Sequence, residues 1–200
     1  DELKEKHNYL AQKLKIKGVT FNYHDDSTSV LESVFARGDR RLSTLLIDAY
    51  NNVKTNKKLV VAGGSSDTKT YMNELKEKAK DNKNIIFTGF VQGKTLDELY
   101  SNAYIYCLPS DLEGMPLSLL EAMSYGNCCL SSDIEECSTV LEDKGVTFKK
   151  SNTTDLTKLL QKLCDDKELV NKYKSESQEF ILKKYNWDDA VKKTLKLYRK

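Results

Sequence analysis

From Lys57 onward, apolar and polar positions fall into regular blocks. Lys58-Leu-Val-Val-Ala62 is a short apolar, β-rich run closed by Gly63-Gly64, the pattern of a buried strand followed by a tight turn. Residues 67–81 are polar, with Tyr71, Leu75 and Ala79 at a helical spacing. Asn84 to Thr88 reads as a second strand, closed by Gly89, and Thr95 as the N-cap of a short helix carrying Leu96, Leu99 and Tyr100. Ala103 to Leu108 is a third strand. Pro116 to Tyr125 reads as a helix with Pro in its first turn and Gly126 at its end. Cys128 to Ser131 and Val146 to Phe148 complete the strands, and helices are expected at about 153–164, 167–184 and 187–199.

Apolar strands alternating with helices over short connections predict an α/β fold with a parallel sheet covered on both faces. Right-handed crossovers make it a doubly wound, Rossmann-like layer, here with extra C-terminal helices. Ligands of such sheets lie beyond the carboxyl ends of the strands. The loops of interest are therefore Gly63 to Ser66, Gly89 to Val91 and Pro109 to Met115. Residues 1–56 are less regular, and 1–42 form an atypical N-terminal segment ahead of a domain at 43–200. Residues 2–16 suggest a Lys-rich amphipathic helix with Leu3, Leu10 and Leu14 on one side. Val19 to Tyr23 suggests a strand, and Ser29 to Phe35 and Ser43 to Val53 suggest helices.

Composition narrows the function classes. Lys and Arg number 32 against 30 Asp and Glu, a net charge of +2, which argues against a strongly basic nucleic-acid surface. The longest stretch without a charge is 12 residues, Leu99 to Ser110, against the roughly 20 that a membrane-spanning helix needs. No basic segment followed by an apolar one marks a signal peptide. The five cysteines, Cys107, Cys128, Cys129, Cys137 and Cys164, have no CxxC or Cys/His ligand spacing, so no metal site is expected. They read as reduced, mostly buried thiols of a cytosolic protein. His7 and His24 are assigned to the surface.

The informative segment is Glu113-Gly-Met-Pro-Leu-Ser-Leu-Leu-Glu121. With Pro116 at the helix start, the backbone N–H groups of Gly114 to Leu117 stand as unsatisfied donors at a positive helix end, which suits phosphate. Gly114 allows close backbone approach. Carboxylates on either side, Glu113 and Glu121, would accept hydrogen bonds from hydroxyl groups. Phosphate flanked by hydroxyl-bearing rings describes a nucleotide sugar. An ordinary acidic residue near a helix N-terminus and a solvated helix residue fit the same pattern.

Pro109-Ser110, Glu113-Gly114, Pro116, Leu120-Glu-Ala-Met123 and Gly126 resemble the signature of the retaining GT-B glycosyltransferases of family 4. The Ala-Gly-Gly strand end, Ile86-Phe-Thr-Gly-Phe-Val91, Leu96-Asp-Glu-Leu-Tyr100 and a last helix opened by Trp187 follow the same order. The resemblance runs from about Leu45 to Arg199 and implies one half of a GT-B fold, the domain that binds the nucleotide-sugar donor. It implies that Glu121 holds the ribose hydroxyls, that Glu113 faces the donor sugar and that the amides of Gly114, Met115, Pro116 and Leu117 meet the diphosphate. It places Gly89, Phe90 and Val91 along the base pocket and Gly63 where the backbone turns close to the nucleotide. The implied reaction is retaining hexosyl transfer from a UDP- or GDP-sugar to a glycan or lipid-linked acceptor, as in polysaccharide biosynthesis. The resemblance also implies that positive groups and helix amides stabilise the leaving diphosphate without a required metal or cofactor.

Two departures accompany the resemblance. The family's Arg and Lys, about five residues apart, grip the diphosphate; here the stretch is Phe35-Ala-Arg-Gly-Asp-Arg-Arg-Leu42, with Arg37 and Arg41 as stand-ins and without the family's strand or Glu-Lys-Gly context. Solvated or helix-capping arginines are the other reading. After Asp133, where the family shows Gly-Gly and then Glu, the chain has Glu135-Glu136 and Thr139. About 50 residues ahead of the match are too few for the family's acceptor domain. A catalytically inactive binding or scaffold module is therefore the alternative. Val19 to His24, Ser29, Leu31-Glu32 and Phe35 to Leu42 separately resemble a C-terminal stretch of a radical-SAM protein family, although the chain lacks CxxxCxxC. Lys192, Lys193, Lys196, Arg199 and Lys200 make the last helix mildly basic, which fits a solvated face and at most a peripheral contact with the inner membrane face.

Overall fold

Residues 33–37, 40–63 and 69–198 are described by a computed structural model of the chain. The expectations for residues 2–16, 19–23 and 64–66, for both histidines and for Arg199 and Lys200 lie outside the described residues. Six strands are described: β1 (Ser33–Arg37), β2 (Lys58–Ala62), β3 (Ile85–Gly89), β4 (Ala103–Leu108), β5 (Cys128–Ser132) and β6 (Val146–Phe148). Eight helices connect or follow them: α1 (Arg40–Tyr50), α2 (Lys69–Ala79), α3 (Lys94–Ser101), α4 (Leu117–Ser124), α5 (Glu135–Leu141), α6 (Thr153–Asp165), α7 (Lys167–Lys184) and α8 (Trp187–Tyr198). All strand pairings are parallel and the order is β3-β2-β1-β4-β5-β6. This is the doubly wound α/β layer expected from the alternation of elements.

Successive strand residues point to opposite faces, and that alternation builds two cores. Leu59, Val61, Ile105, Cys107, Cys128 and Leu130 share one core with Leu46 and Ile47 of α1, Leu75 of α2 and Leu156 and Leu160 of α6. Val60, Ala62, Tyr106, Leu108 and Cys129 share the other with Leu99 of α3, Leu119 and Met123 of α4 and Val140 of α5. The long helix α7 serves both, through Val170 on the first and Ile181 on the second. Side-chain caps start α6 and α7: Asn152 Oδ1 accepts from the Asp155 N–H and Asp166 Oδ1 from the Leu169 N–H, each at 2.9 Å.

Several expectations are corrected. Ser33–Arg37, within and just after the stretch read as a helix from Ser29 to Phe35, is a strand in the middle of the sheet. Phe35 is in register with Val60 on one side and Tyr106 on the other. Pairing on both edges outweighs the local helical spacing, as β propensity follows context. The sheet thus starts ahead of residue 43, and the strand that seemed missing before Arg37 and Arg41 is present. The N-cap of α3 is Gly93, with a φ of 58°, and not Thr95; the Leu96 and Asp97 amides donate to the Gly93 carbonyl at 2.8 and 3.0 Å. The short helix α5 had no counterpart in the apolar pattern.

Candidate functional site

Strand order reverses between β1 and β4, so the connections leaving these two strands diverge and open a crevice at their carboxyl ends. On one side stands the β1–α1 connection, with Arg37 ending β1 and Arg41 in the first turn of α1. On the other stands the β4–α4 loop, Pro109 to Pro116. Topology therefore brings Arg37 and Arg41 to the same edge of the sheet as Glu113 and Gly114. Gly63 and Gly89, at the ends of β2 and β3, share that edge, and the Gly63 N–H donates to the Gly89 carbonyl at 3.0 Å. Their φ values of 149° and 67° are open to glycine and strained for other residues. Beyond Gly89, Phe90 is exposed and Val91 half-buried.

The β4–α4 loop is pinned from below. The Ser132 hydroxyl donates to the Ser110 carbonyl, and the Ser110 hydroxyl to the Leu112 carbonyl at 3.1 Å. The Ser151 hydroxyl donates to Asp111 Oδ2 at 2.7 Å. Glu113 is half-buried, and burial, helped by its charge, pushes the Cys137 thiol of α5 up to about 11. Gly114 has open space where a Cβ would stand, so its backbone is accessible to a ligand.

The donor set at the head of α4 differs from the one read from sequence. Pro116 is the N-cap, not a residue of the first turn, with φ −77° and ψ 73°. Those angles form an inverse γ-turn, in which the Leu117 N–H donates to the Met115 carbonyl at 2.8 Å. Pro116 has no N–H and the Leu117 amide is already engaged, so of the expected four positions Gly114 and Met115 offer amides to an anion. The Pro116 carbonyl accepts from Leu119 and Leu120 at 2.9 and 3.1 Å. At the other end the Gly126 and Asn127 amides donate to the Met123 and Ala122 carbonyls at 2.9 and 3.2 Å. With Gly126 at a φ of 72°, these bonds form a Schellman stop. Met115 and Leu117 are exposed beside the amides, as is Leu112.

Glu121 lies on the exposed side of α4, one turn inside it, and Glu113 lies in the loop ahead of it. Glu113 thus precedes the head of α4 and Glu121 follows it. Reading the sequence missed what holds Glu121: the buried Tyr100 hydroxyl donates to Glu121 Oε2 at 3.0 Å. The Leu96, Leu99, Tyr100 pattern marked Tyr100 only as an apolar helix residue, and nothing in the spacing shows which helix its hydroxyl reaches. Glu135 and Glu136 sit in the first turn of α5, exposed and half-buried respectively. There they meet the positive end of the helix, which favours their charge. Among the described residues no group of His, Cys, Asp and Glu side chains is arranged to hold a metal ion.

A parallel sheet whose strand order reverses between β1 and β4, with helices on both faces, defines the class of this domain as Rossmann-like α/β. Residues 41–180 match the family model described as glycosyl transferases group 1, and the chain belongs to that family. An uncharacterised glycosyltransferase of Methanocaldococcus jannaschii is 27% identical over 146 residues, covering 72% of this chain and 37% of its own length. The N,N'-diacetylbacillosaminyl-diphospho-undecaprenol alpha-1,3-N-acetylgalactosaminyltransferase of Campylobacter jejuni is 34% identical over 104 residues, covering 50% of this chain and 27% of its own. The chain thus spans about a third of the length of these curated relatives. Its fold matches the crystal structure of Anabaena HepE in complex with UDP-glucose at a TM-score of 0.77 and 15% identity, over 96% of this chain and 52% of that one. The chain has the Rossmann-like half of a GT-B fold.

Proposed function

We propose that this chain is the donor-binding half of a retaining, family-4 glycosyltransferase that uses a UDP- or GDP-sugar for hexosyl transfer to a glycan or lipid-linked acceptor. The observation that carries this reading is the pair of carboxylates, Glu113 and Glu121, on either side of the α4 head at the strand-order reversal. Glu121 would bind the ribose hydroxyls and Glu113 would face the donor sugar. The Gly114 and Met115 amides, with Arg37 and Arg41 across the crevice, would meet the diphosphate and stabilise its charge as it leaves. Phe90 and Val91 would line the base, and Gly63 would pass close beneath the nucleotide. The complex of Anabaena HepE with UDP-glucose supports a nucleotide-sugar donor, and the undecaprenol-linked substrate named for the Campylobacter relative supports a lipid-linked acceptor. The acceptor would be held by a further domain, and the site would work in the cytoplasm, at most peripherally on a membrane.

Calorimetric titration with UDP, GDP and ADP tests the reading. One nucleotide is expected to bind with micromolar affinity. Glu121→Ala is expected to weaken it by about tenfold to a hundredfold, the range for hydrogen bonds to a charged group, roughly 1.5–3 kcal/mol. A second reading, a binding or scaffold module without turnover, draws on Glu135 and Glu136 beside the anion site and on Thr139 in place of a carboxylate. A folded chain that gives no heat with any nucleotide would favour it.

A further inference from the structure

Tyr100 ends the buried face of α3 and is 1% exposed. Its hydroxyl stands 3.0 Å from Glu121 Oε2 and 3.4 Å from the Ser118 carbonyl. The ring stacks on that of Tyr125, with centroids 5.3 Å apart and planes 16° apart, and meets Tyr106 at 5.6 Å on a tilt of 39°. The Tyr125 hydroxyl donates to Asp97 Oδ1 at 2.9 Å, one turn back on α3. Behind the ring, the buried Asn127 side-chain amide donates to the Tyr100 carbonyl at 2.9 Å and to the Ala122 carbonyl at 3.0 Å. The last turn of α3 is therefore tied to α4 from both sides, and the phenol is held at one height against the Glu121 carboxylate.

An exposed glutamate on a helix ordinarily samples several rotamers, and a ligand that needs one of them must freeze the rest. A carboxylate has about four acceptor positions, so one bond from a phenol fixes its orientation and still leaves capacity for a ligand's hydroxyls. We propose that Tyr100 is a positioning residue: its hydroxyl presets the Glu121 carboxylate so that the group meets a vicinal diol, the ribose of a nucleoside diphosphate, in one orientation. The Tyr125 ring and the Asn127 amide hold Tyr100 in turn. This inference rests on the reading of Glu121 as the ribose-binding carboxylate.

The test compares affinities for UDP and GDP with those for their 2′,3′-dideoxy analogues, in the wild-type chain and in Tyr100→Phe. The wild-type chain is expected to prefer the ribonucleotide. Tyr100→Phe is expected to cut that preference severalfold while binding the dideoxy analogue as before, and to have no further effect once Glu121→Ala is present. An unchanged preference, or an equal loss for both nucleotides, would overturn the positioning role and leave the donor reading standing. A wild-type chain that binds no nucleotide, or shows no preference for the ribose, would overturn both. If Tyr100→Phe does not fold, Tyr125→Ala carries the same test, because that ring is partly exposed and its removal unseats the phenol. A reduced preference supports the role and an unchanged one overturns it.

Discussion

At the scale of single residues, the thiols show how strongly the two cores exclude water. Cys107, Cys128, Cys129 and Cys137 are buried and Cys164 is half-buried. Burial pushes the Cys107 and Cys129 thiols well above their ordinary value, and pushes Cys128 from 9.0 up to about 12. Such thiols remain protonated and unreactive at neutral pH. Below about pH 9 they are protonated in both folded and unfolded chains, so the stability they permit is fully present. As pH rises further the unfolded chain loses these protons first, and the folded state is penalised by on the order of 1 kcal/mol per pH unit for each thiol, until the folded value is reached. Urea midpoints are therefore expected to hold steady up to about pH 8.5 and to fall by pH 10. A disulfide-exchange reagent at pH 8 is expected to label Cys164 first.

At the scale of elements, one small residue decides whether α5 and β6 fit together. A Cβ on Gly145 would stand 2.6 Å from Leu141 Cδ2 and 3.0 Å from the Cys129 carbonyl oxygen. Gly145→Ala is therefore expected to cost about 1–3 kcal/mol, the usual penalty for overpacking, read from the shift in urea midpoint. The strands β2, β4 and β6 lie where their apolar runs predicted, because each run of Val, Ile, Leu and aromatic residues is bounded by turn residues. β1 was hidden because Ser-Val-Phe-Ala-Arg is short and mixed, and its identity comes from partners on both sides. α5 was hidden because Glu-Glu-Cys-Ser-Thr-Val-Leu is seven residues long, too short for a helical period to show. The positions of Glu113 in the loop and Glu121 inside α4 were legible because both follow from where Pro116 starts the helix. The Tyr100 bond was not, because it depends on how two helices are set against each other.

At the scale of the whole molecule, no described α8 side chain belongs to either core. Every α8 residue with a described side chain is exposed, including Val191, Leu195, Leu197 and Tyr198. No described helix is long and apolar enough to cross a membrane. Exposed side chains of this kind contribute little to the stability of the sheet, so truncation after Trp187 is expected to shift the unfolding free energy by less than about 0.5 kcal/mol in urea titrations. The middle position of β1 has a further consequence, one of timing. β1 meets β2 across a short span of chain but meets β4 only after two strands and three helices have intervened. Closing that longer loop costs entropy before any contact repays it. The β3-β2-β1 half is thus positioned to assemble first, and the crevice that holds the candidate site comes into being only when β4 docks and the two halves join.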